Sequence, residues 1–312
     1  VVLTTLADDT VGAGFTVDGR AQRDTNGDGI AFDDLASGGI GGLPVLPTGP
    51  EVDRGLTIDN DVDINLPGYF EGTIADGGDV VIGASGVTVE DLSSSEILIA
   101  QSYIHAYHTF VTTAAGVEQL SATTITQPAT LIADDVVESK GTFAGPNGLV
   151  SWTTTTSFED GVSRLTSVLD LDSGQTTLGD IQVVSYLDED VEFVDDDILV
   201  TSGIPGAEGF RVFTIDSVRR VGFSHGGHYI QDGVNLVNAS YTGWAADQFN
   251  ELQTAIAAGT QTFSIAGDID LTDLPASADP VFGQQFGPND VTTGFAWNTD
   301  AIATTARITN FL

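Results

Sequence analysis

Ser151-Trp-Thr-Thr-Thr-Thr-Ser157, then Phe158-Glu-Asp-Gly161, then Ser163-Arg-Leu-Thr-Ser-Val-Leu-Asp-Leu171 is the stretch whose reading decides the fold. In its last part Leu165, Ser167, Leu169 and Leu171 share one face, while Arg164, Thr166, Val168 and Asp170 share the other. Period-two alternation belongs to a strand with one face buried. Asp160-Gly161 supplies residues that tolerate positive φ in a tight turn. The stretch therefore predicts a β-hairpin. Working outward from it, short runs rich in Val, Ile, Thr and Phe recur between Gly, Asp, Asn and Pro. They predict strands at 79–82, 96–108, 120–125, 130–132, 181–186, 210–215, 234–241, 261–265 and 303–311.

A helical spacing occurs once, over 244–258. Phe249, Leu252 and Ile256 fall at i, i+3 and i+7 with Ala245 behind them, and Gly259 follows as a stop. Many strands and one short helix predict an all-β, large antiparallel two-sheet sandwich. No fixed-period repeat points to a solenoid or propeller.

The chain has 312 residues, with 45 Asp+Glu against 9 Lys+Arg, a formal charge of -36, and neither Cys nor Met. Such a charge excludes nucleic-acid binding through a basic surface and disfavours anionic lipid. No run approaches the ~20 apolar residues that span a bilayer. Without Cys there is neither disulfide nor thiolate chemistry. The sequence lacks an initiator Met and a signal peptide, which suggests a processed or excised fragment. A surface this acidic repels itself unless salt screens it or bound cations neutralise it. The expected setting is extracellular, at a cell surface in salty, calcium-containing water. A salt-accumulating cytosol is the other setting that suits it.

Residues 1–50 are rich in Gly, Asp and Pro and read as an N-terminal arm with a linker, leaving 51–312 as the sandwich domain. The arm carries Asp24-Thr-Asn26-Gly-Asp28-Gly29, followed by Asp33-Asp34. Oxygen ligands at positions 1, 3 and 5 with Gly at 6 are how a short loop wraps Ca²⁺. Position 12 is Leu35, not a bidentate Glu, so Asp33 or Asp34 must close the shell. The expected Ca²⁺ ligands are Asp24, Asn26, Asp28, the Ile30 backbone, Asp33 and Asp34. A solvated acidic turn is the plainer account of the same residues.

Weaker cation candidates are Asp59, Asp61 and Asp63, which would share one face of a strand. The runs Asp188-Glu189-Asp190 and Asp195-Asp196-Asp197, and the group Asp268, Asp270 and Asp273, are cation candidates of the same kind, and all these acidic clusters read by default as solvated faces. The histidines form two pairs of equal spacing, His105/His108 and His225/His228. Four imidazoles suit Zn²⁺ or Cu²⁺. Residues three apart on a strand point to opposite faces, so the first pair needs a bulge to converge, whereas Gly226-Gly227 makes the second more permissive. Packed, hydrogen-bonded histidines are the plainer account. No Gly-x-Ser-x-Gly, His-Glu-x-x-His, P-loop or dinucleotide fingerprint is present. No catalytic residue is assigned.

Two stretches carry a resemblance. One is 163–190, ending Leu178-Gly-Asp-Ile-Gln-Val-Val-Ser-Tyr186-Leu-Asp188-Glu-Asp190. The other is Gly294-Phe-Ala-Trp297 through 303–312. Together they resemble the super-sandwich of the galactose mutarotase-like class, as found in acidic surface-exposed or type I-secreted bacterial proteins. That family uses a His and a Glu in sugar chemistry, and neither has a residue-by-residue match here.

The expected function is a non-enzymatic extracellular structural protein: a surface-layer, fibre or adhesin subunit stabilised by Ca²⁺. Its partners would be other copies or other surface proteins, with the apolar Val1–Leu6 stretch adding to a neighbour's sheet edge. The alternative is a carbohydrate-active module that binds or cleaves polysaccharide. His225, His228, Tyr229 and Trp244 lie near one another in sequence and favour that second class.

Overall fold

A computed structural model describes residues 56–59, 61–66, 70–81, 89–91, 96–98, 103–133, 136–159, 164–190, 196–207, 210–216, 222–226, 236–280 and 283–311. The expected arm 1–50, with Asp24, Asn26, Asp28, Ile30, Asp33 and Asp34, lies outside the described residues. So does His228.

The deciding hairpin forms. Gly148–Glu159 pairs antiparallel with Arg164–Asp172 from Ser151↔Asp172 to Glu159↔Arg164, so the first strand runs on through Phe158 and Glu159. Leu165, Ser167, Leu169 and Leu171 are buried, as their alternation requires. Thr305–Phe311 and then Leu236–Val237 join on one side of the hairpin, and Val136–Gly145 then Thr124–Ala133 on the other, giving a six-stranded sheet.

A second sheet of ten strands has Tyr103–Thr113, Gln182–Asp190, Val291–Thr299 and Ala239–Gln248 as consecutive neighbours. Their pairings are antiparallel, and one parallel pairing, to Asp268–Ile269, closes that edge. Trp152, Leu169, Leu171 and Ile308 of the smaller sheet join Val111, Val183, Phe295 and Trp297 of the larger in one buried cluster. Each such side chain contributes ~1.5–3 kcal/mol by leaving water. The molecule is thus an all-β sandwich, with a third sheet of five strands, Gly222–His225, Arg211–Asp216, Asp197–Ser202, Gly283–Asn289 and Ala276–Asp279, that the sequence reading did not foresee.

The opposite face of the ten-stranded sheet is also covered. Phe110, Val184, Tyr186, Ala245 and Ala296 pack with Leu252 and Ile256 of the helix Glu251–Ala257. No helix among the described residues is long and apolar enough to cross a membrane.

Burial on both faces explains the main correction. The expected helix 244–258 is half strand: Ala239–Gln248 belongs to the sheet, and the chain turns at Asn250, φ 64°, before the helix begins. Trp244, Ala245 and Ala246 are all buried, and a strand covered on both faces reads as a continuous apolar run that periodicity cannot tell from a helix. Residues 261–265 contribute one bridge, Trp244↔Ser264, in place of a strand. Leu120–Ala122 is a 3-10 turn.

The outer edge of the six-stranded sheet is Thr124–Ala133. It carries Pro128 in mid-strand, and the next amide, Ala129 N–H, donates to Asp76 Oδ1 at 2.6 Å.

Candidate functional site

Three carboxylates converge where the ten-stranded sheet meets the helix. Asp247 ends the strand Ala239–Gln248, Glu251 opens the helix, and Asp273 follows the edge strand Asp268–Ile269. One oxygen from each lies within 4.8 Å of the others. Two oxygens on opposite sides of a Ca²⁺, each at ~2.4 Å, stand about that far apart, so all three fit one ion's shell.

Polar contacts hold the loops. Gln248 Nε2 donates to Glu251 Oε1 at 2.8 Å, Asn289 Nδ2 donates to the Asp273 carbonyl at 2.9 Å, and Thr292 Oγ1 donates to the Asp247 carbonyl at 3.1 Å. Burial pushes the Asp247 carboxyl up to about 6. The Gln248 backbone N–H opposes that shift, while Asp270, Glu251 and Asp273 add to it by repulsion. Asp273 is also raised, by burial and then by Glu251 and Asp270. Asp270 is instead lowered, because it accepts from the Thr272 backbone and side chain. A cation would relieve the crowding that holds Asp247 up.

A second polar group lies inside the sandwich. His225 is wholly buried at the end of Gly222–His225. Its Nδ1 is 2.7 Å from Thr293 Oγ1, and its Nε2 is 2.8 Å from Ser185 Oγ and 3.1 Å from Asn310 Nδ2. A neutral imidazole has one donor and one acceptor nitrogen, and the Thr293 and Ser185 hydroxyls can serve either role. Asn310 Nδ2 also reaches Ser185 Oγ at 2.8 Å and Tyr107 Oη at 3.2 Å. Desolvation lowers the His225 pKa to about 3, so the ring is neutral at ordinary pH. Both its nitrogens are engaged by protein groups.

A third group sits on the helix-covered side. Gln119 Nε2 donates to Asp79 Oδ2 at 2.6 Å and lies 2.9 Å from His108 Nδ1, which is itself 3.3 Å from Asp79 Oδ2. His108 stacks on Tyr186 with ring centroids 6.2 Å apart. Burial, reinforced by Asp188, pushes the Tyr186 phenol above its usual range, so it stays neutral.

Sequence reasoning named part of this. Asp273 was singled out, whereas Asp247 and Glu251 were hidden inside the expected helix. Asp59 and Asp61 are not neighbours on one strand. Asp59 ends Leu56–Asp59, Asp61 opens Asp61–Leu66, and the two face each other across an antiparallel pair, with Asp63 opposite Thr57. Asp188, Glu189 and Asp197, expected on solvated faces, are buried, as members of the paired strands Gln182–Asp190 and Asp197–Ser202. His105 and His108 share the strand Tyr103–Thr113, and the register to Gln182–Asp190 skips His105, leaving a bulge there. His225 of the second pair is the buried residue above. Trp152, Trp244 and Trp297 are core residues.

No family model matches the chain, and no curated protein matches it. Among solved structures it is similar to a bacterial glucoamylase complexed with acarbose. The identity is 10% and the TM-score 0.38, over 85% of this chain and 34% of that one, so the chain spans about a third of that protein's length.

Proposed function

We propose that the protein is an extracellular structural subunit, of a surface layer, fibre or adhesin, whose fold is held by Ca²⁺. The observation that carries this reading is the convergence of Asp247, Glu251 and Asp273 at one helix start. The formal charge of -36 and the Asp24–Asp34 loop sequence support it, since both call for cations. Ca²⁺ at the triad would join the end of a central strand, the helix and the edge loop. The test is thermal melting and particle size with Ca²⁺ and with EDTA. Chelation is expected to lower Tm and to disperse assemblies. An unchanged Tm and size on chelation overturn the reading.

A second reading, a carbohydrate-active module, is favoured by Asp79, His108 and Gln119 beside Tyr186. A carboxylate and an imidazole held together on a sheet face suit proton transfer or hydroxyl recognition. Retention on a polysaccharide panel, lost on His108→Ala, would support it. Equal retention of both proteins would reject it.

A further inference from the structure

We propose that the cluster of Tyr107, Ser185, His225, Thr293 and Asn310 is an acid-sensitive latch: protonation of His225 withdraws the Gly222–His225 strand from between the two large sheets while the sandwich stays folded. The cluster joins three sheets. Tyr107, Ser185 and Thr293 come from adjacent strands of the ten-stranded sheet, Asn310 from the six-stranded sheet, and His225 from an edge strand of the five-stranded sheet.

The groups that face the ring cannot carry its charge. From Tyr103–Thr113 comes Tyr107, from Gln182–Asp190 Ser185, from Val291–Thr299 Thr293 and Phe295, and from Thr305–Phe311 Asn310. Ser167 of Arg164–Asp172 and Thr109 touch Tyr107, not the ring. Of these only Tyr107 titrates, and burial raises it further from the acid range. Among the described residues no carboxylate faces His225.

Adding a proton leaves a charge that neutral partners alone must solvate. The protonated ring has two donor nitrogens and no acceptor, and only neutral hydroxyl and amide groups stand within 3.1 Å of them. The penalty of an unpaired buried charge is several kcal/mol. Withdrawal returns the charge to water. Gly222–His225 has four residues, pairs along one side with Arg211–Asp216, and is tied to the sandwich backbone by Gly226 N–H to the Phe311 carbonyl at 3.0 Å. Short, singly paired edge strands open first.

Linkage sets the sign and the slope. The closed ring titrates near 3 and an exposed one near 6.5. The open form therefore binds one more proton between those values, and opening is favoured as pH falls. The opening constant should rise roughly tenfold per pH unit below about 6, near 100-fold over two units.

The experiment is amide hydrogen exchange on the whole chain from pH 7 to pH 4, corrected for intrinsic rates. The expected result is loss of protection at 222–226 with a one-proton slope, while Gly148–Glu159 stays protected. In His225→Gln, which keeps an amide in place of the ring, the slope should vanish. Uniform protection down to global unfolding, or the same slope in His225→Gln, overturns the latch. Should that variant not fold, the imidazole proton shift of the parent decides: a ring that titrates together with the loss of protection at 222–226 supports the latch, and one that titrates only with global unfolding overturns it.

Discussion

Gly141 lies flat against the indole of Trp152: a Cβ built on the glycine would fall 2.3 Å from Trp152 Cζ2 and 2.5 Å from the Thr124 carbonyl oxygen. The two residues are direct cross-strand partners. Gly141→Ala should therefore destabilise by about 1–3 kcal/mol through overpacking. Trp152→Phe should also destabilise. The double variant should lose about 1 kcal/mol less than the sum, since the smaller ring makes room. Urea denaturation of the four proteins measures the coupling, and strict additivity would show the contact to be incidental.

Gly243 is held harder. Its φ is +146°, and a Cβ there would fall 2.2 Å from the Ser264 carbonyl carbon, a backbone atom that cannot rotate away. Gly243→Ala should cost at least about 2 kcal/mol and loosen the Trp244–Ser264 bridge. Amide exchange at Trp244, whose N–H donates to the Ser264 carbonyl at 3.0 Å, is the local readout.

The acidic triad predicts coupled proton and cation binding. Asp247 titrates near 6, above its usual 3.8, so without a cation its contribution favours the fold at low pH and is lost as pH rises through 6. Ca²⁺ needs the ionised form, so its affinity should fall roughly tenfold per pH unit below about 6. Calorimetry at pH 7.5 and pH 5.0 should show weaker binding and net proton release in acid. Asp247→Asn should remove the pH dependence and weaken binding. Equal affinity at both pH values would argue against Asp247 as a ligand.

Arg307 is the contrasting case. Its guanidinium meets Asp170 in two hydrogen bonds of 2.7 Å, and the side chains are 47% and 37% exposed. Exposed pairs contribute little, so Arg307→Ala should change stability by no more than about 1 kcal/mol, and by less in high salt. A larger loss that salt does not reduce would indicate a packing role for the side-chain stem.

The fold was legible where one face alone is buried. Leu165, Ser167, Leu169 and Leu171 gave away their strand because solvent lies on the other side. Val136–Gly145 was overlooked because its buried positions include Ser139, Gly141 and Gly145, chosen to receive neighbours such as Trp152 and Val150. Of the hydrophobic alternation only Val137 and Phe143 remain, six residues apart. Trp244–Gln248 failed for the opposite reason, being covered above and below. The site was still less visible. Asp247, Glu251 and Asp273 come from a strand end, a helix start and a loop, and only folding makes them neighbours. His225 was noticed for its spacing to His228, yet its partners Ser185, Thr293 and Asn310 are each at least 40 positions away. Inward-facing Ser and Thr on strands were the one available hint.

Pro128 and Asp76 shape the rim formed by Thr124–Ala133. A strand added along Thr124–Ala133 would meet a residue with no amide to offer at Pro128, beside an Ala129 amide that already donates to Asp76. Addition of a further strand is disfavoured at this rim.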